Sequence, residues 1–188
     1  MLVIEGADCT GKTTLAHKLV KMLNDDGSPH IYQHLSRLPP SFDRFCDYEK
    51  VMSTYTVQDR SHMSEPIYAA MRGDETDLTP WLYDRVDAML LLKGMFVVVV
   101  YVLEDELIRD RYAGKDEMYS LGQVLQVNKE FARAGNTGVW GEYRMHVDYR
   151  CVCTRNNPWP NAEEVFRAYT THMELYHQLQ RARRLHAW

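Results

Sequence analysis

The run Gly6-Ala7-Asp8-Cys9-Thr10-Gly11-Lys12-Thr13-Thr14 near the amino terminus contains a full match to GxxxxGK[ST]. Glycines at these places let a loop curl so that successive backbone N–H groups face inward, toward phosphate oxygens. A helix opening after the loop adds the partial positive charge of its N-terminus. Lys12 supplies a point charge for the β- and γ-phosphates, and the Thr13 hydroxyl suits Mg²⁺. Gly6, Asp8, Cys9, Thr10, Gly11, Lys12, Thr13 and Thr14 are therefore expected to cradle ATP with Mg²⁺.

The loop fixes a phosphoryl donor and leaves the reaction open. A GTPase would carry an Asn-Lys-x-Asp element after a strand, and none follows Val102. A motor ATPase would close an apolar strand with an acidic pair. The one candidate, Leu103-Glu104-Asp105, reads as a solvated helix start. The acceptor signature lies elsewhere, in Gln58-Asp59-Arg60-Ser61 at the end of a third strand, the rim where open α/β sheets bind ligands.

Here the chain resembles the thymidylate kinase branch of nucleoside monophosphate kinases. Asp59-Arg60-Ser61-His62-Met63-Ser64-Glu65-Pro66-Ile67-Tyr68-Ala69-Ala70-Met71-Arg72-Gly73 is similar to that family's Asp-Arg-x motif and the helix after it. Ile4-Glu5-Gly6-Ala7-Asp8 is similar to its Glu-Gly-x-Asp lead into the P-loop. The resemblance covers residues 2–25 and 55–94 well and the remainder loosely.

The resemblance implies that Arg60 holds the acceptor phosphate, a role a guanidinium fork suits, and that Asp59 orients Arg60 or a water on Mg²⁺. An ordinary strand-end ion pair is the alternative. It also implies a base stacked on Tyr68 while Arg72, four residues on, donates to a pyrimidine carbonyl; packing is the alternative. Two places depart from the family. The second strand usually ends in an Arg-Glu-Pro type element, whereas His34-Leu35-Ser36-Arg37-Leu38-Pro39 offers Arg37 alone. An arginine late in the helix before the fourth strand is replaced by Met89-Leu90-Leu91, which leaves Arg85, one turn earlier, as the substitute.

Arg109-Asp110-Arg111-Tyr112-Ala113-Gly114-Lys115-Asp116 joins three cations to a glycine, and residues 109–117 are expected to form a lid over the triphosphate. Arg111, then Arg109, is the candidate for stabilising charge on the moving phosphoryl oxygens. A solvated charged helix is the alternative reading. Asn156-Asn157-Pro158 would flank the donor adenine. An acceptor that is itself a phosphate needs no general base, whereas a hydroxyl needs a carboxylate near the end of the second strand. None stands between His30 and Ser41, although Asp59 could serve in a different geometry.

These residues need a scaffold, and strand-like and helix-like stretches alternate through the chain as in a parallel sheet wrapped by helices. Strands are expected at Leu2 to Gly6, His30 to Leu35, Thr54 to Gln58, Phe96 to Val102 and Val147 to Thr154. Helices are expected from Thr13 to Leu23, Phe42 to Met52, after Thr79-Pro80 to Gly94, on to about Ala134, and from Asn161 to Leu185. Phe96-Val97-Val98-Val99-Val100-Tyr101-Val102, apolar on both faces, marks the middle of the sheet. The expected architecture is one α/β domain over residues 1–188, a P-loop NTPase fold with three α/β/α layers and a mostly parallel five-stranded sheet.

Composition agrees with a globular chain of 188 residues, 45% hydrophobic and 26% charged. With 22 basic and 26 acidic residues the net charge is −4, so a small nucleotide is the expected partner; the charge argues against a DNA acceptor without excluding one. A homodimer stays open. The four cysteines show no CxxC pair and read as structural thiols. No apolar run is long enough for a membrane span, and no secretory signal is visible, so a cytoplasmic location is expected.

The leading reading is an ATP- and Mg²⁺-dependent deoxynucleoside monophosphate kinase acting on dTMP or a related pyrimidine deoxynucleotide. The alternatives are a kinase of a hydroxymethyl group on a modified pyrimidine, free or in DNA, as viral base-modification pathways require, and a deoxynucleoside kinase. A nucleotide-binding regulatory module is the non-enzymatic alternative.

Overall fold

The computed structural model describes residues 1–35, 43–112 and 119–185. Arg37 and lid residues 113–117 lie outside them. Five strands form one parallel sheet in the order β2-β3-β1-β4-β7: β1 (Leu2–Gly6), β2 (Ile31–His34), β3 (Thr56–Asp59), β4 (Phe96–Val102) and β7 (Tyr149–Cys153). The expected α/β architecture is the observed one.

All seven β4 residues are buried, because the strand is paired on both sides and covered on both faces. Phe96 packs on Tyr169 and His172 of α7 (Ala162–Leu185), whereas Val99 and Tyr101 face Gly135 and Asn136 of α6 (Leu121–Thr137). Alternation along the strand thus assigns one helix to each face. Joining α7 is α1 (Lys12–Asp25), and joining α6 is α3 (Ser64–Arg72). A fully buried Val or Phe side chain is worth about 1.5–3 kcal/mol, which makes β4 a large share of the core.

Local rules set the remaining elements. Asp43 caps α2 (Arg44–Val51) through Cys46 N, and Thr79 caps α4 (Pro80–Leu92), with proline at its first position. The acidic pair after β4 opens α5 (Asp105–Tyr112) as expected, with Asp105 and Glu106 in the first turn. One pair of strands was not expected. An antiparallel ribbon of β5 (Val139–Trp140) and β6 (Tyr143–Arg144) follows α6, and two-residue strands are too short to show a period. The third strand also runs to Asp59 rather than stopping at Gln58, which puts Asp59 in the ladder and Arg60 just beyond it.

From β1 the chain crosses to β2 at the edge, returns through β3, and then passes to β4 on the other side of β1. Connections therefore diverge from β1, leaving a crevice at its C-terminal end. The P-loop and Arg60 both lie there.

Candidate active site

The loop from Gly6 to Gly11 leaves β1 and enters α1. Gly6 is required by close approach, since a Cβ there would lie 2.3 Å from the Val100 carbonyl oxygen. Gly11 stands at the helix start with φ 94° and no side-chain cap, so the first N–H groups of α1 have no capping side chain. Cys9 also takes the left-handed region, at φ 63°. Thr10 Oγ1 donates to the Ala7 carbonyl at 2.8 Å and closes the loop on itself. The resulting cavity, about 410 Å³, is lined by Asp8, Cys9 and Gly11 to Thr14, with Arg111 and Trp159 opposite.

Lys12 Nζ lies 3.1 Å from Asp8 Oδ1 and donates to the Ala7 carbonyl at 3.2 Å. The Arg60 guanidinium reaches the same oxygen, Asp8 Oδ1. Burial alone would raise the Asp8 pKa, but Lys12 and Arg60 together outweigh it and hold the carboxyl below its ordinary range. Two cations expected to serve different substrates therefore meet at one point.

Arg60 adopts φ 73°, a strained region costing on the order of 1–3 kcal/mol for a side-chain-bearing residue. Its N–H donates to the Ile4 carbonyl at 2.9 Å, and its guanidinium carbon sits 4.4 Å from the Tyr68 ring centre. The ring face expected to stack a base thus carries Arg60. Arg72 lies at the end of α3, with Nε 2.6 Å from Asp74, a guanidinium nitrogen 3.8 Å from Glu65 and another 3.4 Å from the Tyr119 hydroxyl. Arg85 is apart from this group, its guanidinium between the rings of Phe45 and Trp81 at 5.0 and 4.8 Å.

Asp59 is fully buried beside the loop. Its Oδ2 accepts from Thr13 Oγ1 at 2.6 Å and from the Tyr32 hydroxyl at 3.2 Å, and His34 Nδ1 lies 3.5 Å away. Burial first, and then the Asp59 charge, push the Tyr32 hydroxyl up to about 12. Among the described residues Asp59 Oδ1 has no hydrogen-bond partner. An orphaned carboxylate oxygen beside a threonine hydroxyl is a donor set that a hard cation such as Mg²⁺ would satisfy. The residues present thus fit the expected metal, with Thr13 and Asp59 as its protein contacts.

Arg111 ties two loops together: it donates to the Cys9 carbonyl at 3.0 Å and to the Pro158 carbonyl, and stacks 4.2 Å above Trp159. Arg109 is exposed on α5 and does not line the cavity. Sequence reasoning missed Trp159, Tyr32 and His34. A tryptophan before Pro160 in the loop after the last sheet strand was a usable signal for the first. It noted Glu5 only in the Glu-Gly-x-Asp lead and gave it no role, whereas its buried carboxylate accepts from Ser61 N at 2.7 Å, Ser61 Oγ at 2.5 Å and Ser64 Oγ.

No protein-family model matches the sequence, and no curated protein shows significant similarity to it. Among solved structures, the chain is similar to the YorR protein of Bacillus subtilis in complex with phosphorylated GDP. The two share 20% identity over 94% of this chain and 97% of that one, with a TM-score of 0.64. Polyphosphate kinase 2 of Arthrobacter aurescens TC1 is more distant, at 14% identity, 95% and 67% coverage and a TM-score of 0.49. The first of these likenesses shows a shared fold.

Proposed function

We propose that this chain is a phosphotransferase that binds ATP with Mg²⁺ in the P-loop and passes the γ-phosphoryl group to the phosphate of a pyrimidine deoxynucleotide, dTMP in the simplest case. The observation that carries this reading is the meeting of Lys12 and Arg60 on Asp8 Oδ1. An oxygen within reach of both the P-loop lysine and the arginine of the third strand occupies the place where a phosphoryl group would lie between donor and acceptor. The bound nucleotide in the YorR structure supports a nucleotide ligand for this fold.

In this reading Lys12 and the α1 N-terminus hold the donor phosphates, Arg60 holds the acceptor phosphate, and Arg111 with Trp159 closes the far wall. Mg²⁺ bound at Thr13 and Asp59 would neutralise phosphate charge. A phosphate acceptor is already anionic, so positioning and cations suffice. For the base, Arg72 on α3 remains the proposed reader, and resemblance to the thymidylate kinase branch supports a pyrimidine.

One observation favours a second reading. His34 stands at the end of β2, next to Asp59, whose second oxygen has no partner among the described residues, and this is the place where a hydroxyl acceptor needs a proton-accepting group. The acceptor would then be a hydroxymethyl pyrimidine or a nucleoside. A coupled ADP-release assay over nucleosides, monophosphates and hydroxymethylated-pyrimidine DNA decides between them. Turnover of dTMP is expected, and transfer confined to hydroxyl acceptors would replace the first reading by the second.

A further inference from the structure

Glu5 is the fourth residue of β1, and its side chain is completely buried. A carboxylate withdrawn from water persists only where donors replace its hydration. Among the described residues its hydrogen-bond donors come from one short segment: Ser61 N and Ser61 Oγ reach Oε1, and Ser64 Oγ reaches Oε2. Ser61 Oγ in turn accepts from Met63 N at 3.2 Å, so the entry into α3 is fixed by the same carboxylate.

That segment starts immediately after Arg60, whose left-handed backbone few side-chain-bearing residues hold without enforcement. Two bonds bracket it. Arg60 N donates to the Ile4 carbonyl, and Ser61 N donates to Glu5 Oε1, so adjacent residues of the strand that leads into the P-loop anchor both sides of the turn. Burial pushes the Glu5 carboxyl up to about 7 despite the nearby serine donors and Arg60.

We infer that Glu5 is a positioning residue for Arg60: its grip on Ser61 and Ser64 holds the left-handed turn that delivers the Arg60 guanidinium to Asp8 and onto the ring of Tyr68. The acceptor cation is thereby registered to the donor loop through β1 itself. Arg60 as the acceptor cation belongs to the proposed function above, and the test separates the two claims.

Glu5→Gln preserves the shape of the side chain, and its amide can bond to Ser61 and Ser64, but it removes the carboxylate. Hydrogen exchange of the Arg60 guanidinium, read by NMR without any substrate, should become at least about tenfold faster, while exchange of β4 amides stays as in the original protein. The KM for dTMP should rise at least about tenfold, with the KM for ATP unchanged within about twofold. A folded Glu5→Gln protein with the original Arg60 exchange rate overturns the inference. If the original protein does not use dTMP, the acceptor reading fails while the exchange measurement still decides the role of Glu5. Should Glu5→Gln not fold, Ser61→Ala, which removes one hydroxyl donor and keeps the backbone bond, is held to the same exchange criterion.

Discussion

Asp8, in the P-loop, and Arg60, just past the end of β3, form an ion pair between the sides proposed for donor and acceptor, and the same Asp8 oxygen also binds Lys12. An internal anion thus occupies the position proposed for a phosphoryl group. In the proposed function, substrate phosphates would displace Asp8 from both cations. Asp8→Asn should therefore bind ATP more tightly, by about tenfold or ~1.4 kcal/mol, as expected for loss of a partly buried competing charge. Titration calorimetry with the original and altered proteins reads this directly, and unchanged or weaker binding would refute the competition.

Lys12→Ala should abolish transfer while leaving the fold intact. In the proposed function the loop N–H groups and the α1 N-terminus would still hold the donor, whereas the lost charge would act on the moving phosphoryl oxygens. Turnover should fall at least about a hundredfold, with circular dichroism and melting temperature near those of the original. Activity within a few-fold of the original would remove the P-loop from the chemistry.

Glu5 makes stability depend on pH. Its folded pKa, about 7, lies above the ordinary value of 4.5, so the folded state holds the proton more tightly than the unfolded chain. Stability from this group is fully present below pH 4.5 and is lost as pH rises through about 7, with a size of about 3 kcal/mol. Glu5→Gln lacks this titration. The difference in unfolding free energy between the two proteins, from urea denaturation, should drift in favour of Glu5→Gln from pH 4.5 to 8. A pH-independent difference would place the folded pKa near its ordinary value.

Much of this site was legible in the sequence where a few adjacent residues carry the chemistry. The loop from Gly6 to Thr14 and the Asp59-Arg60 pair each lie in one short run, and the β-branched run at β4 fixed the centre of the sheet. Contacts between distant parts of the chain were not legible. Arg111 meets Cys9 across 102 positions, and Glu5 meets Ser61 across 56, with no local signature for either. The Arg60 contact to the Tyr68 ring was not legible for the same reason. Helical spacing pairs Tyr68 with Arg72, whereas the cation on its ring is Arg60, brought there by a left-handed turn.

Base selectivity bears on Arg72, whose guanidinium is shared among Asp74, Glu65 and Tyr119 at the end of α3. As reader of a pyrimidine O4 it should reject dCMP relative to dTMP by about 1–3 kcal/mol, because two donors would oppose each other. Arg72→Gln should relax that preference, since an amide presents either donor or acceptor. The check is kcat/KM for both nucleotides with both proteins. Retained selectivity together with a lowered melting temperature would make Arg72 a tie between α3 and the loop after it.

The central claim is that Lys12 and Arg60 serve two different substrates that meet at Asp8. Steady-state kinetics of Arg60→Ala, with ATP and dTMP varied in turn, test it most directly. A rise of at least about tenfold in the KM for dTMP is expected, with the KM for ATP unchanged within about twofold. Equal damage to both substrates would contradict it, and would assign Arg60 to the donor site or to the fold.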